Sequence, residues 1–108
     1  MYSKEFKEFI DMQDGRLKTS IENYPDNEKA VFARMIKLTE EVGELADEVL
    51  AESSFQRQDK LAKREKGSLE AEFADVVITV FLLAKSLNLD IDKSLREKIA
   101  KINKRYEK

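Results

Sequence analysis

Across residues 38–56 the chain carries six acids, Glu40, Glu41, Glu44, Asp47, Glu48 and Glu52, and no lysine or arginine. Across residues 67–84 it carries three more, Glu70, Glu72 and Asp75, again without a base. A solvated helix face normally mixes the two signs so that i,i+4 ion pairs form. Here the bases gather elsewhere, in residues 57–66 and 93–108. Glu41 and Glu44 stand three apart, as do Glu72 and Asp75, so on helices each pair shares one face. Two like charges about 4 Å apart repel by roughly 4 kcal/mol at an effective dielectric near 20. Four such carboxylates drawn together therefore need a cation. A divalent metal is the simplest, and inward-facing carboxylates hold metals in helical bundles. A lysine or arginine from the last helix is the alternative, and would make the cluster purely structural.

The chain has neither cysteine nor histidine. A disulfide framework is excluded, and so are the usual zinc ligands and the usual general base. A metal bound here takes oxygen ligands, which points to magnesium, with manganese as the alternative.

The elements that must position these acids read as helices. Apolar residues keep helical spacing at Phe6, Ile10, Leu17, Ile21 and Tyr24, with Gly15 a weak spot. The spacing recurs at Val31, Met35, Leu38, Val42, Leu45 and Val49, and at Leu95, Ile99, Ile102 and Tyr106. The second of these sets predicts a core-facing stripe, with Glu41, Glu44 and Glu48 one residue earlier as an acidic ledge along its edge. The run Val76-Val77-Ile78-Thr79-Val80-Phe81 has strand composition. Its apolar character continues through Leu87 with no Gly or Pro after Gly67, too long for a typical strand, so a helix is expected, capped by Ser68. Tyr24-Pro25-Asp26-Asn27 reads as a turn, residues 52–68 as at least partly loop, and Asn88-Leu89-Asp90 as a break, with Asp90 or Asp92 capping the last helix.

The 108 residues fit one domain, 1–108. A domain this small rarely encloses a roomy private pocket. The third helix is apolar on every side and must be buried on every side, which predicts an all-α, four-helix subunit that completes its bundle by oligomerisation. Charged residues are 39% of the chain yet the net charge is only −2, which leaves no broad basic field for nucleic acid or an anionic membrane. No signal peptide is visible at the N-terminus, and the longest apolar run is far too short to span a bilayer. The expected location is cytoplasmic.

Glu41-Val42-Gly43-Glu44-Leu45-Ala46, followed after the 27 residues 45–71 by Glu72-Phe73-Ala74-Asp75, resembles the ExxE and ExxD motifs of the MazG-like, all-α nucleotide pyrophosphohydrolases. The C-terminal Lys101-Ile102-Asn103-Lys104-Arg105-Tyr106 is similar to the closing basic segment of that group. The resemblance implies magnesium held by Glu41, Glu44, Glu72 and Asp75. It also implies hydrolysis of nucleoside triphosphates to monophosphate and pyrophosphate, and assembly as a homodimer or homotetramer. With no histidine present, Glu41 or Glu44 would orient or deprotonate the attacking water, and Glu40 is a weaker candidate. The tryptophan on which some relatives stack the nucleobase is absent; Phe32, Phe55 and Tyr24 are candidate substitutes, and Thr79 a candidate site-facing hydroxyl.

Lys98, Lys101 and Arg105 run one residue ahead of Ile99, Ile102 and Tyr106 and are the candidate contacts for substrate phosphates, with Arg105 suited to bidentate binding. Two other functions compete. A phosphoribosyl-ATP pyrophosphohydrolase keeps the chemistry and changes the substrate. A non-catalytic helical dimerisation module explains the apolar third helix but leaves the segregated acids without a reason.

Overall fold

A computed structural model describes residues 1–19, 27–52 and 68–107. They form four helices: α1 (Lys4–Lys18), α2 (Asn27–Glu52), α3 (Ser68–Ser86) and α4 (Ile91–Lys104). The expected features at Ile21, Tyr24 and residues 53–67, Phe55 among them, lie outside the described residues.

The helix ends follow from local chemistry. Ser3 caps α1, its hydroxyl accepting from the Phe6 N–H at 3.1 Å. The β-branched run of α3 is helical, as its length requires. Asn88 ends that helix in the left-handed region, at φ 56°. There the Leu89 N–H donates to the Ala84 carbonyl and the Asn88 N–H to the Lys85 carbonyl, a Schellman ending that satisfies carbonyls the helix leaves open. Asp90 then caps α4 by accepting from the Lys93 N–H at 3.1 Å.

The closely packed pairs are α2 with α3 and α1 with α3. The α2–α3 pair is antiparallel: Asn27 at the start of α2 donates to the Ser86 carbonyl at the end of α3, at 3.2 Å. Ala30, Ala51, Leu82, Ala84 and Ser86 are buried in the subunit. Between α1 and α3 the rings of Tyr2 and Phe6 meet Phe81 edge-on, centroids 4.9 and 5.0 Å apart, in the arrangement aromatic quadrupoles favour. Lys85 on α3 pairs with Asp11 on α1 at 3.0 Å.

Helix α2 departs from expectation in its rotation. Within the chain its buried positions are Ala30, Arg34, Glu41 and Ala51, while Met35, Val42 and Val49 of the expected core stripe are exposed. Of the acidic ledge Glu41 turns inward while Glu44 stays exposed, and half the apolar stripe turns outward. The reason is that α2 has two apolar sides: Phe32, Ile36 and Leu50 are exposed as well, so periodicity alone does not say which side meets α3. Helix α3 likewise exposes Phe73, Val77 and Val80, and α4 buries no residue, leaving Leu95, Ile99, Ile102 and Tyr106 exposed.

Candidate metal centre

Because α2 and α3 run antiparallel, the ExxE turn of one lies beside the ExxD turn of the other. Carboxylate oxygens of Glu41, Glu72 and Asp75 all lie within 4.8 Å of one another. An octahedral ion with oxygens at about 2.1 Å separates adjacent ligands by about 3 Å and opposite ones by about 4.2 Å, so the three carboxylates would draw together around one ion. Glu41 is 6% exposed, Glu72 half-buried and Asp75 exposed, a gradient from the helix interface to the open side.

The electrostatics favour a cation among these acids. Glu41 Oε2 and Glu72 Oε2 are both buried without a hydrogen-bond partner, an arrangement that is costly unless a ligand completes it. Burial, and then the negative charges of Glu44, Glu41 and Asp75, push the Glu72 carboxyl above its ordinary pKa. Lys37 reaches Glu41 Oε1 at 3.1 Å from one turn away on α2 and stands 3.8 Å from Glu40. Its hydrogen bond to Glu41 and the attraction of that charge raise the lysine's own pKa. Oxygen donors alone, two of them orphaned, suit a hard divalent ion.

Glu44 stands apart from this set of three. It is exposed, yet close enough for its charge to act on Glu72. Thr79 is 8% exposed and donates to the Asp75 carbonyl of its own helix at 2.7 Å, so its hydroxyl is engaged by the backbone. Phe32 is exposed on α2. Lys98, Lys101 and Arg105 are all exposed on α4, which belongs to neither closely packed pair. A hollow of about 220 Å³ bounded by Tyr2, Lys7, Phe81, Lys85 and Leu89 lies toward the other end of α3 and is no part of the carboxylate site.

The profile of the MazG nucleotide pyrophosphohydrolase domain matches residues 33–108, which contain all four motif carboxylates. The chain belongs to this family. It is also similar to the uncharacterized protein YpjD of Bacillus subtilis (strain 168), with 36% identity over 74 residues, 68% of this chain. The chain spans 65% of that relative's length. No solved structure matches it. Helix α1 lies ahead of the matched region, and it supplies one half of a pair that spacing did not reveal. Asp14 on α1 bonds Arg34 on α2, Nη1 to Oδ1 at 2.7 Å, and the arginine is 2% exposed. Burial works to raise the Asp14 pKa, but the bonds from Arg34 and Lys18 outweigh it and hold the carboxyl below its usual value. The one available sign in the sequence was that Arg34 stands seven residues before Glu41, on the same side of α2.

Proposed function

We propose that the chain hydrolyses nucleoside triphosphates between the α- and β-phosphates, releasing nucleoside monophosphate and pyrophosphate, in a magnesium-dependent reaction that serves nucleotide-pool sanitation. One observation carries the reading: carboxylates from two helices converge with buried, partnerless oxygens on Glu41 and Glu72, inside the region matched to the family. Glu41, Glu72 and Asp75 would hold the ion, with Glu44 as the fourth carboxylate at the edge. When bound, such an ion would supply charge neutralisation at the phosphates and a lowered pKa for a water.

The residues themselves divide the remaining work. Glu41 is tied to Lys37, so exposed Glu44 is the freer carboxylate to orient the water and accept its proton. The triphosphate needs cations facing the acids. Lys98, Lys101 and Arg105 are assigned that role, approaching the site in an assembly of subunits. The outward apolar residues Phe32, Val42, Phe73 and Val77 support a homodimer or homotetramer, since several large apolar side chains left exposed on two packed helices are readily covered by a second subunit.

Pyrophosphate release from a panel of ordinary and damaged nucleoside triphosphates, with phosphoribosyl-ATP included, tests the reaction. Turnover with magnesium that vanishes in excess chelator is expected, and full turnover in chelator would sink the metal mechanism. Light scattering at low micromolar concentration tests assembly, and a monomeric mass would overturn it. Alanine at Arg105 is expected to raise KM or lower kcat while metal binding persists. Unchanged kinetics in single alanine variants of Lys98, Lys101 and Arg105 would return α4 to a solvated role.

A further inference from the structure

The carboxylate cluster exists only while α2 and α3 keep one axial register. A slip of one residue moves a helix by about 1.5 Å and turns its side chains by about 100°, whereas metal–ligand distances tolerate about 0.2 Å. Apolar burial does not fix this register well, because it is non-directional. Several of the buried positions here are also small: Ala30, Ala51, Ala84 and Ser86. Small side chains interlock weakly.

A directional tie stands at the right place. Arg34 Nη1 donates to the Leu82 carbonyl on α3 at 2.8 Å and to Asp14 Oδ1 on α1 at 2.7 Å. One nitrogen with two hydrogens thus links three helices, and the carbonyl has a second lone pair for its own helix. Asp14 is itself held by Lys18 at 3.2 Å. Arg34 lies seven residues before Glu41, and Leu82 lies seven residues after Asp75. In an antiparallel pair, equal offsets in opposite directions return to the same level, about 10.5 Å along both helices. The level that Arg34 and Leu82 fix therefore sets Glu41 opposite Asp75 and, three residues further, Glu44 opposite Glu72.

We propose that Arg34, anchored by Asp14, is a positioning residue for the metal site, locking the register in which α2 and α3 bring their carboxylates together. The proposal rests on the metal-site reading above. It also gives α1, which precedes the family-matched region, a part in the site that it does not touch.

The test separates register from stability. Replacing a buried ion pair by apolar residues of similar volume is often neutral or stabilising, so the double variant Asp14→Leu with Arg34→Met is expected to fold with a Tm near that of the wild type. Mn²⁺ affinity of both proteins is read by calorimetry and by the electron paramagnetic resonance of the bound ion. The expected result is at least a tenfold weaker Kd in the double variant, with an altered spectrum, at unchanged helicity. A second variant, Arg34→Lys, keeps the charge beside Asp14 but loses the planar two-way donation; its Kd is expected to weaken severalfold, which guards against failure of the double variant to fold. A wild-type Kd and spectrum in either folded variant would overturn the register lock and leave the metal site standing. Wild-type protein that binds no Mn²⁺ would overturn the metal reading, and the lock with it.

Discussion

The α2–α3 pair buries charge at two levels, two helical turns apart, and treats it in opposite ways. At the Arg34 level Nη1 of the guanidinium meets a carboxylate and a backbone carbonyl, both within 2.8 Å, so the buried charge has its counter-charge inside the chain. At the Glu41 level three carboxylates converge, two buried oxygens lack partners, and Lys37 attends from the edge. The first level balances its charge within the chain. The second is incomplete by construction, as expected where stability is exchanged for a function that a ligand completes.

The largest effect expected from breaking the contrast is at the charge-paired level. Arg34→Ala leaves Asp14 buried without its main partner, and such losses cost about 3–5 kcal/mol. Urea denaturation should show that loss. A variant within about 1 kcal/mol of wild type would mean that the pair anchors nothing.

The opposite behaviour is expected one level away. Asp75→Asn removes a repelling charge, so the metal-free protein should be as stable as wild type or more so, while turnover falls by about 10²–10³-fold, the scale of removing one electrostatic element from a site. A large drop in the metal-free Tm would instead make the cluster structural.

How much of this contrast is legible in the sequence depends on what each feature needs. The ExxE and ExxD pairs are readable because three-residue spacing fixes a shared face without any knowledge of the partner helix. The helical state of residues 76–81 is readable from length, which overrides their β-branched composition. The rotation of α2 is not, because the stripe through Leu38, Val42, Leu45 and Val49 and the side with Phe32, Ile36 and Leu50 both fit the helical period, and only packing decides between them. For the same reason spacing groups Glu44 with Glu41, although it falls outside the set of three. The Asp14–Arg34 bond joins residues 20 apart across two helices, and no local pattern announces such a pair.

The two levels should also respond to pH with opposite sign. The Asp14 pKa is lowered by folding, so its contribution is present above the ordinary value of 3.8 and is lost as pH falls through the lower, folded value. The Glu72 pKa is raised, so its ionisation costs stability, and that cost appears as pH rises from 4.5 through the higher, folded value. The stability gap between wild type and Asp14→Asn should therefore shrink in acid. The advantage of Glu72→Gln over metal-free wild type should grow on the alkaline side of pH 4.5 and close again when magnesium saturates the wild type. Parallel curves for the two pairs would show that the two levels do not differ electrostatically.

The smallest effect is expected at the hinge between the two behaviours, Lys37. It is the one cation among the described residues paired with Glu41, and its side chain is 55% exposed, so solvent screens the pair and its loss should cost about 1 kcal/mol or less. In the metal-free protein Lys37 supplies part of the positive charge that the acids need, which means that an incoming ion must compete with it for Glu41 Oε1. Lys37→Met should therefore lower metal-free stability slightly and tighten Mg²⁺ binding by about two- to fivefold, a small change of the kind expected when an exposed ion pair no longer competes. If magnesium instead binds more weakly, Lys37 is not a competitor but a support that holds Glu41 in its ligating rotamer, and the unsatisfied level would prove better organised than its orphaned oxygens suggest.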